Sequence, residues 1–288
     1  MTDIIEVQIT ICDGQQDQKA SKILAVASGL PQAKLKEAMH KGAVWLRRGK
    51  GQKRLRRAGK ALRVGDELLL NYNPRILDQW VPEPQLVSDL GDYSIWFKPF
   101  GLACQGSRWG DFSAMARWVE VNLPEITDHA PRPVHLVHRL DRATTGLMIL
   151  CHSKRSARAF SELFAAGQVD KRYQAIVRGD FSVHGSPLQV NKPVDGKEAT
   201  TVFSLASQSE NACLLDVQLL TGRKHQIRKH LRGLDFPIIG DRLYGEGEQD
   251  GIDLHLQAVS LSFTCPMTGE SRAFVVRDDQ RLILDQII

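Results

Sequence analysis

Apolar residues recur at helical spacing twice near the start of the chain. Over Lys19–Ser28, Ile23 pairs with Ala27, and over Gln32–His40, Leu35 pairs with Met39, each at i, i+4. Gly29 and Pro31 separate these two predicted helices, and Gly42 follows the second where a helix-ending glycine belongs. Ala43–Leu46 is a short strand, and Gly65-Asp66 turns the chain into another apolar strand, Leu68–Leu70. Later segments alternate in type. Tyr93–Phe97, Leu147–Cys151, Tyr173–Val177, Leu214–Leu220 and Leu254–Phe263 are strands. Phe112–Val121 is a helix with Met115, Trp118 and Val119 on one side. Ser153 caps a helix that runs to Phe164, with Ala157, Phe160, Leu163 and Phe164 facing inward. The simplest assembly is α+β, a mixed sheet with helices packed on it. The three prolines in 73–85 mark a boundary, and 104–111 and 127–133 are loops within the larger part. The expected organisation is a small α/β domain over 1–77, a linker over 78–92 and a large domain over 93–288.

Composition narrows the class. The 288 residues are 42% hydrophobic, ordinary for a globular protein, and no apolar run approaches the roughly 18 residues of a membrane span. The start, MTDIIEVQIT, has no basic stretch of the kind that opens a signal peptide. Five cysteines are scattered without a C-x-x-C pair, which predicts reduced thiols in a cytoplasmic protein and no zinc site. The net charge of +5 divides unevenly, +8 over residues 1–77 and −3 over the remainder. Ten Lys/Arg and no acid lie between Lys41 and Arg63, so this stretch is expected to face water or a polyanion.

Chemistry concentrates in His138-Arg139-Leu140-Asp141-Arg142-Ala143-Thr144-Thr145-Gly146. An aspartate between two arginines, in a loop before an apolar strand, is favoured in its ionised form. It suits a nucleophile or an electrostatic stabiliser rather than a proton donor. The blander alternative is a turn-capping aspartate paired with Arg139 at the surface. A second basic stretch, Thr221–Arg232, has no acid. Thr221 is expected to cap a helix carrying His225, Arg228 and Arg232 on one face. From there Arg228, or else Arg223, could fork onto Asp141, while Arg223, Lys224 and Lys229 are left for phosphates. His225 reads as structural.

HRLDRATTGLMIL resembles the signature loop of the RluA family of pseudouridine synthases, with Thr145 in place of the commoner serine. Lys98-Pro99 with Gly101, Lys171-Arg172-Tyr173-Gln174-Ala175 and Thr221–Arg228 resemble further family segments in order. So do Pro237–Asp241, Leu243–Gly245, Leu254–Leu256 and Pro266–Glu270, so that the likeness spans roughly residues 90–276. It implies a pseudouridine synthase domain with a mixed, mostly antiparallel sheet flanked by helices and loops. It also implies that Asp141 is the essential carboxylate, that Tyr173 stacks on the target uracil, that Arg228 pairs with Asp141, and that Arg139 opens the RNA stack. His138, Arg223, Lys224 and Lys229 would complete the substrate contacts. Residues 18–72 resemble the small RNA-binding domain named after ribosomal protein S-four, which makes Arg47, Arg48, Lys53, Arg54, Arg56 and Arg57 candidate RNA contacts. The partner is then structured RNA, with ribosomal RNA favoured over tRNA, and no cofactor, metal or membrane is called for. The competing reading is a non-catalytic RNA-binding or RNA-folding protein on the same scaffold. A DNA-binding regulator would need a recognition helix and half-site symmetry, and the chain offers neither.

Overall fold

The computed structural model describes residues 3–247 and 251–284. The chain divides into two compact units. One comprises the chain up to Val81 together with Gln105–Trp118, and the other Pro82–Cys104 and everything from Val119 onward.

The first unit contains β1 (Ile5–Thr10), α1 (Ala20–Ser28), α2 (Gln32–His40), β2 (Val44–Arg48), β3 (Gly51–Arg54), β4 (Glu67–Tyr72) and the single turn α3 (Pro74–Leu77). Its sheet has the order β1-β4-β2-β3, and the described pairings are antiparallel. Both helices form where apolar spacing placed them. Gly29 closes α1 in the left-handed conformation at φ 71°. Leu24, Leu35, Met39, Val44, Leu46, Leu68 and Leu70 form its core. Strand β1 lies outside the predicted elements although Ile5, Val7 and Ile9 alternate inward along it.

Residues 105–118 join this unit rather than the larger one, which alters the expected division. Ser107 and Gly110 pair across a tight turn. Trp45 donates from Nε1 to the Arg108 carbonyl, and Arg54 donates from Nη2 to the Ser107 carbonyl. Asp111 sits between Arg54 (Nε, 3.0 Å) and Arg56 (Nη2, 2.5 Å). Phe112 packs on the unit's core, so the helix expected from Phe112 starts three residues later.

The second unit contains β5 (Gln85–Asp89), β6 (Tyr93–Lys98), the part of α4 (Met115–Thr127) from Val119 on, β7 (His135–Leu136), β8 (Thr145–Cys151), α5 (Lys154–Ala165), β9 (Asp170–Arg178), β10 (Leu188–Val190), β11 (Thr201–Gln208), β12 (Ala212–Leu219), α6 (Gln226–Arg232), β13 (Leu256–Thr264) and β14 (Ser271–Val275). The sheet runs β10-β11-β12-β9-β13-β8-β6-β5, with β14 on β13 and β7 on β8. Of the described pairings only β13 with β8 is parallel. This is the mixed, mostly antiparallel sheet expected. Strand β5 occupies the stretch read as a linker, because Gln85–Asp89 finds the free edge of β6. Ser153 caps α5 as predicted, accepting from the Ser156 N–H. Thr221 does not cap α6. Its hydroxyl donates to the Gln226 side chain, the chain winds through an extra turn at 223–225, and the helix starts at Gln226.

Candidate active site

The motif loop Arg139–Thr145 is fixed from below by β8. Gly146 has φ 111° and lies opposite Ala258 of β13, where a Cβ would overlap the Ala258 backbone. Only glycine permits that approach. Ala258 in turn lies opposite Tyr173 of β9. The loop carrying Asp141 is thereby registered, through one strand, against the strand carrying Tyr173.

Behind the loop, Lys98 is wholly buried at the end of β6. Its Nζ donates to the carbonyls of Pro99 (2.9 Å), Leu102 (2.9 Å) and Arg142 (3.2 Å). Burial brings its pKa down to about 8, against the opposing pull of Cys104 and Asp141. Gly101 donates its N–H to the Arg142 carbonyl, and Arg142 returns Nε to the Gly101 carbonyl. The Cys104 thiol both donates to and accepts from the Leu140 backbone. Segment 98–104 therefore clamps the two residues on either side of Asp141, Leu140 and Arg142.

A cavity of about 560 Å³ opens above this clamp, lined by Asp141, Tyr173, Lys171, His225, Arg228 and Leu256 among others. The Asp141 side chain is 21% exposed, and its Oδ2 lies 3.5 Å from Arg228 Nη1 and its Oδ1 3.5 Å from His225 Nε2. Arg228 is the expected partner, but its tighter bonds go elsewhere. Nε and Nη2 fork onto Asp241 at 2.8 and 2.7 Å. Burial alone would raise the Asp241 pKa and lower that of Arg228. The bonds between them reverse both effects, so both stay charged. Asp241 Oδ1 also accepts from the Leu243 and Tyr244 N–H groups, which saturates it.

The two arginines that flank Asp141 in sequence go different ways. Arg142 turns back to Gly101, and Arg139 is exposed on the cavity lining. Arg223, the alternative partner, lines the cavity but gives its Nε to the Glu198 carbonyl. Lys224 is exposed on the lining, whereas Lys229 is paired with Asp195 at 2.6 Å at the surface. His138 is a fixing residue. Its Nε2 accepts the Ile149 N–H at 2.8 Å, its ring stacks on Phe164, and burial followed by Lys171 drives its pKa to about 3. Tyr173 is 8% exposed, and burial, then Asp141, push its hydroxyl pKa up, so it stays protonated near neutral pH. Burial lowers the pKa of Lys171 beside it.

The family model described as RNA pseudouridylate synthase matches residues 92–232, which include the Asp141 loop, Tyr173 and Arg228. The chain belongs to the RluA family of pseudouridine synthases. It is an RNA-modifying isomerase. The synthase is 26% identical over 302 residues to the ribosomal large subunit pseudouridine synthase C of Haemophilus influenzae, covering 95% of this chain and 92% of that protein. It is 30% identical over 211 residues to a mitochondrial pseudouridylate synthase of Mus musculus, covering 62% of this chain and 55% of that one. The solved structure of human RNA pseudouridylate synthase domain containing 4 superposes with a TM-score of 0.56 at 26% identity, over 67% of this chain and 88% of that one.

Two features of the synthase's site lie beyond the sequence reading. Asp241, as the main partner of Arg228, had no signal besides its place in the Pro237–Asp241 motif. Lys98 had the Lys-Pro-x-Gly motif, but its three carbonyl partners are visible only in the fold.

The small unit's cations also divide. Arg47 pairs with Glu67, Arg48 forks onto Asp66, and Arg54 and Arg56 share Asp111. Arg54 also stacks over Trp45 and donates to the Gly42 carbonyl. Lys53 and Arg57 are exposed. Within the run, Lys41, Arg47, Arg48, Arg54 and Arg56 are therefore met by acids outside it, while Lys50, Lys53, Arg57, Lys60 and Arg63 are exposed, as the expectation that the run faces water or a polyanion has it.

Proposed function

We propose that this synthase isomerises a uridine of large-subunit ribosomal RNA in the cytoplasm, with Asp141 as its catalytic carboxylate. The observation that carries the reading is the Asp141 carboxylate at the floor of a cavity it shares with Tyr173, contacted on its two oxygens by different side chains. The ribosomal target is supported by the Haemophilus influenzae relative, a ribosomal large subunit pseudouridine synthase that aligns with this chain over nearly the whole of both.

The reaction breaks the bond from ribose C1′ to N1 and joins C1′ to C5. The C5 proton leaves and N1 gains one, so no redox partner is needed and we assign no cofactor. Bond breaking builds positive charge on the sugar, as in glycoside cleavage, and an ionised Asp141 beside the sugar lowers that barrier. The uridine must leave its stack to enter the cavity. Tyr173 then offers a ring face to the base, worth about 1–3 kcal/mol. With its hydroxyl protonated, Tyr173 contributes its ring and an O–H donor rather than a phenolate base. Arg139 and Lys224, exposed along the lining, are the substrate contacts we favour. In the small unit, taken as the RNA-binding domain, Lys53 and Arg57 are the candidate phosphate contacts.

The test is pseudouridine mapping of total RNA from cells lacking the gene. One or more sites in large-subunit RNA should disappear, return with the wild-type chain, and stay absent with Asp141→Ala. Restoration by Asp141→Ala removes the assignment, and loss confined to tRNA changes the substrate.

A further inference from the structure

His225 faces Asp141 and Tyr244 faces His225, and the chemistry above gives neither a task. His225 stands immediately before α6 at φ 56° and ψ 27°, a left-handed conformation uncommon for a residue with a side chain. Such conformations persist only where the surroundings over-determine them. Here that conformation coincides with an imidazole that has Nε2 3.5 Å from Asp141 Oδ1 and Nδ1 2.9 Å from the Tyr244 hydroxyl.

The tautomer follows from these contacts. A neutral imidazole has one N–H and one lone pair. A lone pair on Nε2 would face a carboxylate oxygen and be repelled, so Nε2 carries the hydrogen. Nδ1 is then an acceptor, and the Tyr244 O–H is the donor that fills it. Tyr244 is itself anchored, because its N–H donates to Asp241 and its ring lies over the Arg228 guanidinium at 5.1 Å. The groups facing His225 are Asp141, which favours its charged form, and Arg228, Lys224 and Lys229, which with burial oppose it. The net direction is downward, so the ring is neutral near pH 7.

We propose that His225, held as the Nε2–H tautomer by the Tyr244 hydroxyl, is a positioning residue that orients the Asp141 carboxylate through Oδ1 while Arg228 holds Oδ2. Two donors on different oxygens stop the carboxylate from rotating. One of them is uncharged, so orientation comes without a second cation to quench the negative charge the reaction uses. In the free enzyme the Arg228 bond to Oδ2 is long and the His225 Nε2 approach to Oδ1, at 3.5 Å, is short of hydrogen-bond geometry; such catalytic contacts commonly align and tighten when substrate closes the site. The inference rests on Asp141 being the catalytic carboxylate.

A double-mutant cycle tests it, with pseudouridine formation measured on total RNA from cells lacking the gene and folding checked by circular dichroism. His225→Leu should lower kcat by about a hundredfold with KM little changed, as loss of a preorganised donor does. His225→Gln should recover to within about tenfold of wild type, because the amide N–H reaches where Nε2–H was. Tyr244→Phe keeps the ring and should lower kcat about fivefold in wild type. In the His225→Gln background, where no Nδ1 remains, it should change kcat by less than about twofold. The same fivefold loss in both backgrounds, or His225→Gln no better than His225→Leu, overturns the proposal. If the His225 variants do not fold, Tyr244→Phe alone decides, and full activity in that folded variant overturns it. An active Asp141→Asn enzyme would instead sink the underlying assignment, whatever the His225 variants do.

Discussion

The two units use arginine in opposite ways. In the small unit, Arg47, Arg48, Arg54 and Arg56 lie in the most basic stretch of the chain, and each is met by Glu67, Asp66 or Asp111. In the large unit, Arg228 is met by Asp241 on one edge yet keeps Nη1 directed at Asp141 in an open cavity. Both environments satisfy the charge, but only the second shares it between two carboxylates, one of them on a cavity lining. A count of cations along a sequence measures potential, and the acids that fold back upon them determine how much survives. Asp111 lies 55 residues from Arg56, in a stretch that the sequence alone places in a loop of the larger domain.

The largest way to sharpen this contrast is to remove the acid that holds Arg228. Asp241→Ala leaves a guanidinium that is 4% exposed with the 3.5 Å contact to Asp141 as its one remaining carboxylate contact among the described residues. Stripping one member of a buried pair costs about 3–5 kcal/mol, measured by denaturant unfolding of the full chain. A loss below about 1 kcal/mol would mean that Arg228 is not dependent on Asp241.

A smaller effect concerns Lys98, the buried cation whose partners are carbonyls instead of acids. Its pKa is brought from 10.5 to about 8. Between those values the unfolded chain holds a proton that the folded chain has shed, so this group's contribution to stability rises with pH. The slope is at most about 1.4 kcal/mol per pH unit. Below pH 8 both states are protonated and the slope vanishes. The stability difference between wild type and Lys98→Met should be flat below pH 8 and shift in favour of wild type up to pH 10.5. A flat difference across the upper window contradicts the placement of the charge.

The smallest effect separates the small unit's two kinds of cation. Lys53→Ala and Arg57→Ala should each reduce the slope of log affinity for RNA against log salt by about 1. Arg54→Ala should lower the stability of the small unit and leave that slope nearly unchanged. The reverse pattern would mean that Arg54, and not the exposed pair, meets phosphate.

Much of this architecture was legible in the residues. Periodicity located α1, α2, α5 and the strands that carry the site, and the HRLD motif located Asp141 because its chemistry and neighbours lie in one short segment. Elements whose stability is borrowed were not legible. Strand β5 exists because β6 has an edge to pair with. Helix α6 begins at Gln226 instead of near Thr221 because the Gln226 side chain takes the Thr221 hydroxyl and the Arg223 N–H. His138 lines the cavity, as its place in the motif implies, but that its Nε2 accepts the Ile149 N–H is set by the sheet and is not visible in the motif. Lys229 belongs to a basic run, and its partner Asp195 comes from a turn 34 residues earlier.

The most direct measurement of the central claim compares turnover and RNA affinity in Asp141→Asn, which keeps the side chain's shape and removes its charge. Pseudouridine formation should fall at least about a thousandfold while RNA affinity stays within about threefold, the pattern of a group needed in the transition state and not for binding. An Asn variant that still turns over within about tenfold of wild type would show that the charge at the floor of the cavity does not carry the reaction.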